Sequence, residues 1–270
     1  MAVLLRILLF IFVLVAPARA AVSAYERAQG DFDALLHAHV QWNAAGTSSV
    51  VDYAGFERDR TRLRAYLASA AQVEPGRFAA WTPTARQAFL INVYNAATID
   101  LVLSRYPDLD SIKELGGLFS SAWQRPFLLL LGKPRSLDDI EHVLLRGASD
   151  FRDVRIHFAV NCASVGCPAL RPEAYVASRL NSQLDDQTRR FLRDRSRNGY
   201  DADADVLRVS KLFDWYAGDF ARLEGGVAAF LSRYPRELAL NGALASRLAG
   251  GQLALHFAPY DWSLNKAVRP

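Results

Sequence analysis

Apolar residues recur at three- and four-residue spacing along most of the chain, which predicts amphipathic helices. The clearest helix lies in TPTARQAFLINVYNAATIDLVLSRYP, where Thr82 can cap the start, Pro83 suits the first turn and Pro107 lies beyond the end. Asn92 and Asn95 fall on the apolar stripe of this helix. Because an unpaired buried amide costs about 1–3 kcal/mol, we expect both side chains to hold either a substrate or the backbone of a loop packed against the helix.

Short strands are predicted between the helices, at FLLLL, RIHFAV, VLRVS and QLALHF. Alternation along RIHFAVN places Arg155, His157, Ala159 and Asn161 on one side of the strand. The segment SLDDIEHVLLRG is predicted to be a helix that starts with a capping box from Ser136. These elements predict one mainly helical α+β domain over residues 21–270, with a small, mostly antiparallel sheet.

The first twenty residues, MAVLLRILLFIFVLVAPARA, predict a cleaved secretory signal peptide and hence a periplasmic or secreted protein. A charged start, a short apolar run and an A-x-A end are typical of a signal peptide. The apolar run is shorter than the roughly 20 residues that a membrane span requires. No later segment is apolar enough to predict a span. With 51% hydrophobic and 22% charged residues the composition is that of a globular protein.

Charge gives no support for a nucleic-acid partner. The formal net charge is +4, and the one basic stretch, RRFLRDRSR, is interrupted by Asp194 at the end of a predicted helix, which favours a solvated face. The acidic run DADAD lacks the glycine and the final glutamate of a calcium loop. Trp215, Tyr216, Tyr260 and Trp262 either fill the core or line a groove for a sugar or a peptide.

Both cysteines lie in RIHFAVNCASVGCPAL, and three interpretations remain open for them. An exported chain with two cysteines favours a Cys162–Cys167 disulfide, which would shape the loop after RIHFAV and stabilise the fold by about 2 kcal/mol. A zinc site is the second interpretation, built from both cysteines with His142 and His157, although C-x4-C is not the usual zinc spacing.

The third interpretation is a thiol active site, because a nucleophilic cysteine needs a nearby base and a group that orients that base. Cys167 would be the nucleophile in its Gly-Cys-Pro loop, with neighbouring backbone N–H groups as an oxyanion site. His157 would be the base, and Glu141 or Asn161 would orient it. The predicted substrate cleft is formed by Asn92, Asn95 and His142.

The segments FLINVYNAATIDLVL, SLDDIEHVLLR, RIHFAVNCASVGCPAL, LFDWYAGDF and YDWSLN, in this order, resemble the domain of unknown function 547 family of exported bacterial proteins. The resemblance extends from about Val51 to Asn265 and implies a family and a location, but no reaction. The leading functional hypothesis from the residues is a thiol-dependent hydrolase or acyl transferase acting on peptide or amide bonds of the cell envelope, without a cofactor. The alternative is a non-catalytic binding or structural module shaped by the disulfide.

Overall fold

A computed structural model of the chain describes residues 16–116 and 121–267, with side-chain surroundings from residue 25 onward. Most of the predicted signal peptide, residues 1–15, lies outside the described residues, and residues 16–20 are the start of the first helix. The fold is mainly helical with small sheets of two or three strands, so the predicted α+β class is confirmed.

The described α-helices are α1 (Ala16–His39), α2 (Tyr53–Arg58), α3 (Arg60–Ala71), α4 (Pro75–Ala79), α5 (Pro83–Leu103), α6 (Leu180–Arg193), α7 (Leu212–Trp215), α8 (Ala217–Glu224), α9 (Val227–Leu231) and α10 (Gly242–Ala249). Residues Ile112–Leu115 and Val154–Phe158 form 3-10 helices, and residues Asp139–Leu145 form a π-helix. The predicted start of α5 is confirmed, because the Thr82 side chain accepts a hydrogen bond from the Ala85 N–H.

The strands form three small sheets. They are β1 (Val40–Trp42) with β2 (Ser49–Val51), β3 (Leu128–Leu130) with β4 (Lys133–Arg135), and β5 (Gly199–Asp201), β6 (Val206–Val209) and β7 (Ala254–Phe257). All pairs are antiparallel except β6 with β7, which run parallel with Val206 opposite Ala254. The capping box predicted after β4 is present, since Ser136 and Asp139 exchange backbone-to-side-chain hydrogen bonds.

Two hydrophobic cores meet at the segment that precedes the cysteine loop. The first core is built on α1, α3 and α5, and the second on α8, α9 and the three-stranded sheet. The 3-10 helix Val154–Phe158 contributes Ile156 to the first core and both Val154 and Phe158 to the second. The cysteine loop therefore leaves from a buried segment that is packed on both sides.

The predicted strand RIHFAV is wrong, because residues Val154–Phe158 form a 3-10 helix. The Asp153 side chain caps this helix by accepting the Arg155 N–H at 2.9 Å. Ile156, His157 and Phe158 are all buried, so the predicted division into two faces does not hold. A segment buried on every side gives no reliable periodicity, and its alternation was fortuitous.

Helix α6 begins at Leu180, and its buried face includes Leu184, Phe191 and Leu192. Within the described residues, no helix combines the length and the apolar character that crossing a bilayer requires.

Candidate functional site around the disulfide loop

The two cysteines form a disulfide. The Sγ atoms of Cys162 and Cys167 are 2.03 Å apart, and no free cysteine occurs among the described residues. The hydroxyl oxygen of Tyr260 lies 3.1 Å from each sulfur. Cys167 is 5% exposed and Cys162 half-buried, so solvent reaches the bond mainly from the side of Cys162. The predicted disulfide is thus confirmed.

The backbone of the loop is satisfied within the protein. The N–H groups of Val165, Gly166 and Cys167 donate to the carbonyls of Ser263, Asp261 and Ser164 at 2.8, 2.8 and 3.0 Å. The same three loop residues present their carbonyls to one guanidinium, that of Arg197, at 3.1, 2.9 and 2.6 Å. These N–H groups are therefore committed and do not converge on a vacant oxyanion position.

Asn161 ties the loop to its surroundings. Its Nδ2 donates to the Pro168 carbonyl at 2.8 Å, and its Oδ1 accepts the Ala163 N–H at 2.9 Å. Asn265 donates to the same oxygen at 3.4 Å and accepts from the Tyr53 hydroxyl at 2.7 Å. Asn161 thus holds backbone, and none of these hydrogen bonds involves the imidazole that it was predicted to orient.

The two asparagines of α5 also hold backbone. Asn92 donates to the Tyr175 carbonyl at 2.7 Å and accepts the Tyr175 N–H at 2.9 Å. Asn95 donates to the Ala159 carbonyl at 3.0 Å and accepts the Asn161 N–H at 2.9 Å. Each amide thus donates to and accepts from the backbone of one loop. Of the two roles predicted for these asparagines, this is the one of holding a loop packed against the helix.

His157 lies in a separate, buried polar cluster. Its Nε2 is 2.9 Å from Oδ2 of Asp219, and its ring stacks on Tyr216 with the centroids 3.8 Å apart. Nδ1 is buried and has no hydrogen-bond partner among the described residues. Burial lowers the pKa of His157, so the neutral ring with its hydrogen on Nε2 fits this place.

Asp219 is the charged centre of this cluster. The hydrogen bond from His157 holds the pKa of the Asp219 carboxyl well below its usual range, and Arg146 and Arg222 act in the same direction. The two guanidinium groups lie 2.7 and 2.9 Å from its oxygens. Because the arginines already balance this charge, the imidazole need not be protonated.

Glu141 joins the cluster through Tyr216, whose hydroxyl donates to its carboxylate. Burial, followed by the nearby Glu141, raises the pKa of both Tyr216 and Tyr94. The His142 side chain is 41% exposed and contacts Asp138 and Arg146, so it reaches this cluster only through Arg146.

The predicted site residues consequently fall into two groups. His157 and Glu141 meet around Tyr216 and Asp219, whereas Cys167 and Asn161 belong to the disulfide loop. Among the described residues, no hydrogen bond joins His157 to either sulfur. The described residues also hold no cluster of three or more His, Cys, Asp or Glu side chains arranged to bind a metal ion.

An aromatic surface connects the two groups, and we call it the aromatic face. Tyr260 contacts Trp215 and Trp262 with ring centroids 4.7 and 4.5 Å apart, and Trp123 lies 5.8 Å from Trp262. Trp215 is 45% exposed, and the other three rings are half-buried. The sequence indicated three of these rings as candidates, but not their contact with the disulfide.

Residues 78–192 match the family model described as "Protein of unknown function, DUF547". This segment, which is less than half of the chain, is similar to the DUF547 family. It includes α5, the 3-10 helix of His157 and the cysteine loop, whereas Tyr216, Asp219 and Tyr260 lie beyond the matched residues. No curated protein and no solved structure matches the chain.

We predict that Asn161→Ala lowers the free energy of unfolding by about 1–3 kcal/mol for each buried partner left unsatisfied. Urea unfolding would measure the loss. Combining it with Asn95→Ala should give less than the sum of the two effects, because both amides act on the same loop. Asn181→Ala, at an exposed position that binds Arg155, is the control and should change stability by less than about 0.5 kcal/mol. Additive effects would contradict a shared network.

A second prediction concerns acid stability. Because the pKa of His157 is lower in the folded state than in the unfolded state, the unfolded chain binds the extra proton, and stability falls as the pH drops below about 6.5. The pKa of Asp219 is also lowered in the folded state, and the stability that this carboxylate contributes is lost only below about pH 4.

His157→Gln should therefore flatten the pH dependence of unfolding between about pH 6.5 and 5. Thermal unfolding across this range, compared with His142→Gln at its exposed position, would measure the difference. Equal slopes in the wild type and His157→Gln would contradict the assignment of a buried neutral imidazole.

Proposed function

We propose that the protein is a non-catalytic binding module of the cell envelope that holds a glycan chain on the aromatic face. The observation that carries this proposal is the convergence of four large rings beside a disulfide-closed loop, with Trp215 45% exposed. Exposed groups of aromatic rings mark interaction surfaces in soluble proteins. Export, predicted from residues 1–20, agrees with an oxidised cysteine pair.

The chemistry of the surface favours a sugar over a peptide strand. A peptide that binds as an added strand needs free backbone N–H and C=O groups. In residues 165–167 these groups are already used by the segment 261–263, by Ser164 and by Arg197. What remains for a ligand is ring faces, for the C–H face of a pyranose, and exposed polar side chains, for its hydroxyl groups.

Such polar side chains surround the rings. Asp261 and Ser263 are exposed on either side of Trp262, and the Lys113 ammonium lies 4.6 Å from the centroid of that ring. Val165 adds an exposed apolar side chain at the tip of the cysteine loop. A glycan complements this arrangement, because its sugar rings are apolar on their faces and polar at their rims.

The affinity for a sugar should depend on Trp215. We expect chitohexaose or soluble peptidoglycan glycan strands to change tryptophan fluorescence in a saturable titration, and Trp215→Ala to weaken binding by about tenfold or more. Trp42→Ala, at a half-buried tryptophan outside the aromatic face, is the matched control and should bind like the wild type. No saturable binding by the wild type, or equal affinity of the two variants, would refute the proposal.

The thiol-dependent hydrolase expected from the sequence requires a reduced sulfur, and it stays a prediction for a reduced form. In that form the Tyr260 hydroxyl would be a side-chain proton donor to either sulfur, since it lies 3.1 Å from both. His157 would have to release Asp219 and turn toward the loop before it could act as base.

Counting free thiols separates the two functions. We predict that alkylation of the native protein modifies neither cysteine, and that two alkyl groups are added after reduction and unfolding, as measured by intact mass. Peptidase or amidase activity that appears only on reduction, and that Cys167→Ser abolishes, would instead support the hydrolase. In the binding module, reduction should leave the affinity for the glycan within a few-fold of the oxidised value.

A further inference from the structure

A concave site lies between the loop that follows α6, the β5–β6 hairpin and the segment 238–239. Its volume is about 520 Å³, which is within the range of roughly 300–1,000 Å³ that is usual for small-molecule sites. It shares no residue with the aromatic face. The lining consists of Arg195, Gly199, Tyr200, Asp201, Ala202, Arg208, Leu238 and Ala239.

Two arginines line this site, and neither makes an ion pair with a carboxylate of the described residues. Arg195 donates three hydrogen bonds, all to backbone carbonyls, those of Leu192, Asn198 and Glu237. Arg208 donates one, to the carbonyl of Arg195 at 3.3 Å. Because a guanidinium has five N–H bonds, six of the ten in this pair are without an acceptor in the described part of the chain.

Other arginines of low exposure are paired with acids. Arg171 and Arg197 lie 2.7 and 2.8 Å from carboxylate oxygens of Asp186 and Asp194. Burial lowers the pKa of Arg195, and Asp194, which is already bonded to Arg197, acts in the opposite direction. Arg195 is thus a partly desolvated cation whose direct partners are all neutral carbonyls.

One carboxylate also lines the site, that of Asp201, and it stabilises the hairpin turn. Its Oδ1 accepts the N–H groups of Asp203 and Ala204, both at 3.1 Å. With two guanidinium groups and this one carboxylate, the lining has a net positive charge. An anionic ligand therefore fits the site better than a neutral or a cationic one.

A glycine leaves the space between the two arginines open. Gly199 of β5 is paired with Arg208 of β6, and opposite residues of an antiparallel pair project from the same face of the sheet. A Cβ placed on Gly199 would lie 3.7 Å from Cδ of Arg195. A side chain at position 199 would therefore enter the space that separates the two arginines.

We propose that this site binds a small organic phosphate, with the phosphate group held between Arg195 and Arg208. A phosphate monoester carries close to two negative charges at neutral pH and has three acceptor oxygens. Planar guanidinium groups bind such oxygens through pairs of N–H bonds. The organic part of the ligand lies against the exposed Ala202 and Ala239 and the half-buried Tyr200.

Two probes of similar shape test the proposal. Phenyl phosphate and phenyl sulfate both present three oxygens, but at about pH 8 the phosphate is a dianion, since its second pKa is about 6, and the sulfate is a monoanion. In calorimetric titrations we expect the wild type to bind phenyl phosphate saturably and about 3- to 10-fold more tightly than phenyl sulfate. Equal affinity for the two probes would contradict a site that recognises a dianion.

Three variants locate the binding site. Arg208→Gln should weaken binding of phenyl phosphate by about tenfold, and Gly199→Gln should block it although both arginines are kept. Arg152→Gln removes one positive charge at an exposed position outside the site, and this matched control should bind like the wild type.

Thermal unfolding of each variant shows whether it is folded, and Arg208→Gln decides the outcome if Gly199→Gln does not fold. No saturable binding of phenyl phosphate by the wild type would overturn the proposal. Equal affinities of Arg208→Gln and Arg152→Gln would do so as well, because binding would then depend only on the net charge of the protein.

Discussion

Buried amide side chains hold the irregular backbone between the two cores, and the surface around the disulfide depends on them. Residues 159–168 are mostly buried and belong to no helix or sheet, so their polar groups need partners from elsewhere. Asn95 and Asn161 provide these partners. Asn265, near the C-terminus, bonds to Asn161 and accepts a hydrogen bond from Tyr53 of α2. An amide suits this task because it offers a donor and an acceptor at the same place.

The same constraint separates the chemistry-bearing residues of the chain. The loop faces the aromatic face with its disulfide, while the imidazole of His157 lies inward against Asp219 and Tyr216. Two arginines balance the charge of Asp219, and the buried histidine stays uncharged. The cluster thus behaves as a buried polar contact between the two cores, whereas the exposed rings are what a ligand can reach.

The sequence predicted well whatever is encoded locally. Thr82 and Pro83 define the start of α5, and Ser136 with Asp139 forms the capping box of the helical turn Asp139–Leu145. Two cysteines five positions apart are bonded. It failed where burial is uniform, since the alternation in RIHFAV predicted a strand in place of a 3-10 helix. It could not find the partners of Cys167 and His157, because Tyr260, Arg197 and Asp219 lie 30 to 93 residues away along the chain.

Hydrogen bonds from the Arg197 guanidinium hold the cysteine loop whether or not the two cysteines are oxidised. Together with the backbone bonds to residues 261–263, it holds residues 165–167, the second half of the loop that the disulfide closes. A homologous chain that lost both thiols could thus preserve the outline of this region. The conformation of the loop is accordingly held by two independent devices, one covalent and one made of hydrogen bonds to Arg197.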